Sequence, residues 1–267
     1  MTRLHISKLD VFYGSKKTVE SVTLELPDQK ITAIIGPNGC GKSTLLKAVA
    51  RILPYENGSI VLDGAEIKQL PSLAIAKKLA ILPQSPETPI GLSVYDLVSY
   101  GRYPHQRRSN KAADKKVIEW ALAVTQITSL KDALIDELSG GQRQRVWIAM
   151  ALAQDTDFII LDEPTTYLDI AHQLEVLELL QQLNIQQHRT IVMVLHDLNQ
   201  AARYADHIVA MKEGKVLYAG TPQEVMTSPN LAAIFNIETE IDWDERYHCP
   251  RCISYNLLPK KGDSHEN

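Results

Sequence analysis

The stretch that decides the fold runs Ile31-Thr32-Ala33-Ile34-Ile35-Gly36-Pro37-Asn38-Gly39-Cys40-Gly41-Lys42-Ser43-Thr44-Leu45-Leu46-Lys47-Ala48-Val49-Ala50. Its first five residues are β-branched or small and apolar, which predicts a buried strand. Its last eight predict a helix. Between them, Gly36 to Ser43 fit G-x-x-x-x-G-K-[ST], the phosphate-binding loop of nucleoside triphosphatases, in the strand–loop–helix setting that motif needs. The glycines let backbone N–H groups turn inward on phosphate oxygens, and the helix N-terminus adds partial positive charge. Lys42 is expected to reach the β- and γ-phosphates, and Ser43 to ligate Mg²⁺.

A nucleotide site needs an acidic partner, and Phe158-Ile159-Ile160-Leu161-Asp162-Glu163 supplies one at the end of a second apolar run. Asp162 is expected to hold Mg²⁺ opposite Ser43, and Glu163 to orient and polarise the attacking water. Thr190-Ile191-Val192-Met193-Val194-Leu195 is another continuous apolar run. Such runs predict parallel strands buried on both faces. Helices are expected between them, at about residues 142–153 and 170–187.

Leu138-Ser139-Gly140-Gly141-Gln142 opens one of these helices. Its hydroxyl and glycine amides make a second anion-binding helix end. One nucleotide does not obviously need both ends. A head-to-tail dimer answers this, with each ATP held between the phosphate loop of one copy and the Ser139–Gln142 segment of the other.

Around this frame, residues 3–11, 20–26 and 58–62 predict an antiparallel sheet beside the phosphate-loop core, and Leu79 to Gln84 a strand ending at the glutamine. Residues 94–101 and 111–126 read as helices, separated by the polar loop Tyr103-Pro104-His105-Gln106-Arg107-Arg108. A hairpin is expected at 206–219, turning at Glu213-Gly214, and a helix at 222–236.

The 267 residues are 45% hydrophobic, with a net charge of −4. That is enough apolar content for a sizeable core. No basic excess points to nucleic acid as a partner. No apolar run reaches membrane-spanning length, and the N-terminus lacks a signal-peptide pattern. Cys249 and Cys252, with His248 beside them, offer at most three ligands, and no second pair completes a zinc site. Their role stays open.

In this order the residues resemble the ATP-binding cassette (ABC) ATPase family, over nearly the whole chain. The resemblance implies an α/β phosphate-loop ATPase core with a parallel central sheet, an antiparallel β subdomain and an inserted helical subdomain. Residues 1–258 would form this domain, with the helical part at about residues 88–155 and a flexible tail at 259–267. Tyr13 matches the aromatic residue that stacks on adenine. Gly36, Pro37, Asn38, Gly39, Cys40, Gly41, Lys42, Ser43 and Thr44 match the phosphate loop, and Ser139, Gly140, Gly141 and Gln142 the family signature. Thr166-Tyr167-Leu168-Asp169 occupies the loop that crosses between monomers, so Asp169 is expected at the nucleotide. Gln84 matches the glutamine that touches Mg²⁺ where the membrane partner docks. His196 matches the switch histidine at the γ-phosphate, in catalytic company with Glu163 and Gln84.

Three segments, Val98 to His105, Glu163 to Gln173 and Asp197 to Asp206, are similar to the bacterial ATPases that power uptake of ferric siderophores, haem and cobalamin, with the iron–siderophore branch nearest. The resemblance implies ATP and Mg²⁺ as cofactors and a homodimer, or a pair with a second ATPase subunit. It also implies a permease gripping Gln84 and residues 88–105, an external substrate-binding protein, and a place on the cytoplasmic face of the membrane. A soluble cassette acting on a scaffold such as iron–sulfur assembly is the alternative. The cargo, the permease and the choice of homo- or heterodimer are not readable from these residues.

Overall fold

The computed structural model describes residues 2–84, 90–106, 110–166 and 168–258. The chain opens with a long hairpin, β1 (Thr2–Tyr13) and β2 (Lys16–Pro27), then enters β3 (Ile31–Ile35) and, through the phosphate loop, α1 (Lys42–Val49). β4 (Asn57–Leu62) and β5 (Ala65–Glu66) return to the hairpin, followed by α2 (Ser72–Ala76) and β6 (Leu79–Leu82). Three helices come next, α3 (Val94–Tyr100), α4 (Lys111–Val124) and α5 (Gly140–Ala153). The chain then alternates through β7 (Phe158–Leu161), α6 (Ile170–Gln187), β8 (Thr190–Val194) and α7 (Leu198–Tyr204). β9 (His207–Lys212) and β10 (Lys215–Gly220) form a hairpin. α8 (Pro222–Val225), α9 (Ser228–Phe235), β11 (Ile237–Asp244) and β12 (Cys249–Leu257) close the described chain.

Two sheets carry the nucleotide site. The central one has strand order β10-β9-β3-β8-β7-β6, parallel except for β10, which pairs antiparallel with β9. The other, β2-β1-β4-β5, is antiparallel throughout. Every residue of β3, β7 and β8 is buried. Alternate side chains explain why the apolar runs are continuous. Ile159, Leu161, Ile191 and Met193 face one core, shared with α3 to α6. Phe158, Ile160, Val192 and Val194 face the other, shared with α1 and the antiparallel sheet. The phosphate loop, Asp162-Glu163 and His196 leave the sheet at the carboxyl ends of β3, β7 and β8.

Two local readings are corrected, and one element is added. Residues 222–236 form two helices, because Thr227 caps the second and Pro229 stands in its first turn. A proline there cannot continue a preceding helix, lacking the N–H and clashing with the turn before it. β6 ends at Leu82, so Gln84 lies on the link beyond the strand. The region after 236 forms a second hairpin, β11 against β12, with regular pairing from Ile241↔Cys252 to Asp244↔Cys249. The expected tail at 259–267 lies outside the described residues, as do Tyr167, Thr88, Pro89, Arg107 and Arg108.

Candidate nucleotide site

The phosphate loop is built on backbone that only glycine tolerates. Gly41 adopts φ +105°, and a Cβ there would stand 2.6 Å from the Thr18 carbonyl oxygen. Gly36 is tighter still, with a Cβ position 2.1 Å from the Met211 carbonyl oxygen. The loop is thus pressed between β2 and β9. It is tied there by the Gly214 N–H, which donates to the Cys40 carbonyl at 2.9 Å. Gly41 caps α1, so the first amides of that helix point out of the loop without intrahelical partners.

Lys42 is 5% exposed. Its ammonium donates to the carbonyls of Gly36 at 2.8 Å and Pro37 at 2.9 Å. These bonds hold the buried ammonium in place at the foot of the loop. Cys40 lies beneath the loop, and burial pushes its thiol pKa up. Asn38 and Gly39 form the exposed crest. A cavity of ≈ 290 Å³ opens above the loop, walled by Lys42, Ser43 and Thr44 on one side and by Gln84, Glu163 and His196 on the other.

The acidic wall has two carboxyls with opposite tuning. Asp162 is buried, and its pKa is raised by burial with Glu163 beside it, against the opposing hydrogen bond that Ser43 Oγ donates to Oδ1 at 3.0 Å. Burial also pushes Glu163 upward, but hydrogen bonds outweigh it and hold this carboxyl below its usual value. His196 Nε2 lies 2.8 Å from Oε1. Gln84 Nε2 and Thr166 Oγ1 donate to Oε2 at 2.7 Å and 3.0 Å. Glu163 is therefore kept ionised and fixed on three sides, as a water-orienting base should be.

The structure brings together Gly39, Gly41, Lys42, Ser43, Thr44, Gln84, Glu163 and His196 around one cavity, with Asp162 reaching it through Ser43. Tyr13 ends β1 and is 68% exposed, free to present its ring. The Ser139–Gln142 segment does not line the cavity among the described residues. It forms an exposed helix end of its own. Ser139 Oγ accepts from the Gln142 N–H at 3.3 Å, and Gln142 Oε1 from the Ser139 N–H at 3.0 Å, a reciprocal capping box. Asp169 caps α6 beside it by accepting from the His172 N–H at 2.9 Å. Two residues of the cavity region escaped the sequence reading. Thr18 lines the cavity from β2, and no motif marks it. Thr166 stands in a quoted loop, and its distance of three residues from Glu163 was the available signal.

Cys249 and Cys252 lie on one regularly paired strand, three residues apart. Such residues are roughly 10 Å apart and point to opposite faces, which rules out a shared metal or a disulfide between them. Both thiols are buried, and burial raises the pKa of each. Among the described residues no group of three or more His, Cys, Asp or Glu side chains is arranged to hold a metal.

On another face, a groove of ≈ 500 Å³ runs between α2 and the turn after α3, lined by Leu73, Ala76, Tyr103 and Pro104. Tyr103 is 70% exposed there, and Ile90, nearby in sequence, is 91% exposed. No described helix is long and apolar enough to cross a membrane.

Comparison with known proteins accounts for this combination. Residues 19–166 match the family model described as ABC transporter. The chain is 50% identical over 260 residues to the iron(3+)-hydroxamate import ATP-binding protein FhuC of Bacillus subtilis, covering 97% of each. It superposes with TM-score 0.81 and 29% identity on a chain from an inward-facing structure described as a metal-chelate type ABC transporter, covering 97% of this chain and 99% of that one. A dimeric structure of MJ0796, a bacterial ABC transporter cassette, matches with TM-score 0.73 and 26% identity, over 82% of this chain and 98% of the other.

Proposed function

Since the chain belongs to the ABC transporter family, we propose that it powers import of ferric siderophores or related metal chelates, acting as a pair of copies against a membrane permease. It is an ATPase of that family, binding ATP and hydrolysing it in transport. The observation that carries the cargo assignment is the 50% identity, end to end, with a protein named for iron(3+)-hydroxamate import.

The site supports the following division of labour. Lys42 and the first amides of α1 take the β- and γ-phosphates, charge against charge in a partly buried cavity. Tyr13 offers its exposed ring to adenine. Glu163 accepts a hydrogen bond from the attacking water, and His196 and Thr166 keep it aimed. His196, half-exposed at the cavity wall, is also placed to meet the γ-phosphate. The residues fit Mg²⁺, because a hydroxyl and a buried carboxylate converge at Ser43 and Asp162, and such hard oxygens suit that cation. Ser43, Asp162 and Gln84 would hold it, and the ion would offset phosphate charge.

The Ser139–Gln142 helix end and Asp169 stand outside the cavity of their own copy. In the proposed pair they complete the cavity of the other copy, so ATP favours the closed dimer and its hydrolysis releases it. The face proposed for the permease takes in the apolar groove at Leu73 and Tyr103 and Gln84, which donates to Glu163. In this reading the protein works at the cytoplasmic surface of the membrane, and an external binding protein chooses the cargo.

Uptake of iron-labelled ferric hydroxamate by a strain lacking this gene tests the reading. Uptake should fall to background, return with the wild-type gene, and fail to return with Glu163→Gln. Undiminished uptake in the deletion strain would refute the cargo. Co-purification with a soluble scaffold and with no permease would favour the cytosolic alternative.

A further inference from the structure

His196 stands on the link Leu195–Asp197, between the end of β8 and the start of α7. The helix has seven residues, too few to hold itself in water. Its direction is therefore set by what it packs against. Ala201, Ala202 and Tyr204 face the core. Asn199 and Arg203, one turn apart and so on a common face, grip the C-terminal hairpin. Asn199 Nδ2 donates to the Cys252 carbonyl at 3.0 Å, and the Cys252 N–H donates back to Asn199 Oδ1 at 2.8 Å. The Arg203 guanidinium lies 3.8 Å from the centre of the Tyr247 ring.

The same helix reaches the crossing loop. Gln200 Nε2 donates to Gln173 Oε1 at 2.8 Å, and Gln173 Nε2 donates to the carbonyl of Leu168 at 3.0 Å, one residue before Asp169. Open space flanks the link. A second cavity of ≈ 390 Å³, lined by His196, Leu198, Cys252 and Tyr255, shares His196 as a wall with the nucleotide cavity. The histidine thus has room on its hairpin side, and the hydrogen bonds of α7 to β12 brace the helix beside it there.

We propose that Asn199 is a positioning residue for ATP hydrolysis: by clamping β12 to α7 it fixes His196 against Glu163 and steadies the loop before Asp169. The clamp uses both hydrogen-bonding groups of the amide on one backbone unit, a fit that a carboxylate or a methyl cannot reproduce. It assigns the C-terminal hairpin, and with it Cys252, a part in setting turnover. This inference rests on the role given above to His196.

Steady-state ATPase measurements on the full-length chain test it. Asn199→Ala should lower kcat by roughly tenfold, the scale of a small misplacement at a catalytic group, and change KM for ATP by less than about twofold. Asn199→Asp keeps the acceptor for the Cys252 N–H and loses the donor, so its kcat should fall between wild type and Asn199→Ala. A lowered melting temperature with unchanged kcat would show a structural clasp only and overturn the proposal, as would equal losses in kcat and affinity. Should Asn199→Ala not fold, wild-type kcat in Asn199→Asp would overturn it. His196→Ala, run in parallel, separates the two readings. Wild-type turnover there removes the role of His196 itself. Lost turnover there, with intact turnover in Asn199→Ala, removes only the brace.

Discussion

Replacing Glu163 with glutamine changes the chemistry while leaving the pocket almost as it is. The wild-type carboxylate meets Gln84 and Thr166 at Oε2 and His196 at Oε1, at 2.7, 3.0 and 2.8 Å. A glutamine at 163 can turn its oxygen to the first two and its NH₂ to Nε2 of a neutral His196, which accepts in the Nδ1–H tautomer. All three contacts survive without their charge assistance, so the variant should fold with a stability change of about 1 kcal/mol. In the role proposed for Glu163, however, the water loses the group that draws off its proton. General-base assistance contributes about 10²–10⁴-fold, which corresponds to about 3–5 kcal/mol in the barrier. Removing a negative charge beside the triphosphate should leave ATP binding intact or tighter. Phosphate release under saturating ATP measures the first effect, and titration calorimetry the second. Turnover within about threefold of wild type would remove Glu163 from the role of base.

Other perturbations probe separate parts. Lys42→Ala removes a charged donor worth about 1.5–3 kcal/mol, so ATP should bind roughly 10–100-fold more weakly by calorimetry; unaltered affinity would count against the phosphate-loop assignment. Thr166→Val deletes one of the hydrogen bonds that hold the Glu163 pKa down, so the acid limb of the kcat profile should move to higher pH, and an unmoved limb would contradict this tuning. His207 is held below its ordinary value of 6.5 by burial, and its Nε2 has no hydrogen-bond partner among the described residues. The unfolded chain therefore takes up a proton first: stability is full above pH 6.5, begins to fall below it at up to about 1.4 kcal/mol per pH unit, and stops falling only below the folded value. Denaturant midpoints across pH 5–7 should show this slope, and His207→Asn should flatten it.

The core was legible because its physics is local. Ile31 to Ile35, Phe158 to Leu161 and Thr190 to Val194 are apolar without alternation, and each proves buried on both faces. The phosphate loop was legible because Gly36 and Gly41 are demanded by backbone contacts that exclude any Cβ. The C-terminal hairpin was less so. Ile237, Thr239, Ile241 and Trp243 do alternate with acidic residues, which is the signature of β11, but no turn glycine joins it to β12. The break between α8 and α9 was readable in Thr227-Ser228-Pro229, a cap followed by a helix-starting proline. The bond from Gln84 to Glu163 could not be read, since it depends on how two segments far apart in sequence converge after folding.

In the proposed pair each nucleotide is shared between two copies, and Gly141 gives access to that contact. Among the described residues, the atoms nearest a Cβ at this position belong to Leu168 and His172, at 3.5 and 3.9 Å, which is ordinary contact. An aspartate in the first turn of α5 also suits the helix dipole. Gly141→Asp should therefore leave the fold intact while placing a negative charge where the partner's triphosphate is expected. Light scattering on Glu163→Gln with saturating ATP and Mg²⁺ should give twice the mass of the chain. The doubled variant Glu163→Gln/Gly141→Asp should remain at the mass of one chain while still binding ATP. Dimerisation of both variants alike, or of neither, would contradict the shared site.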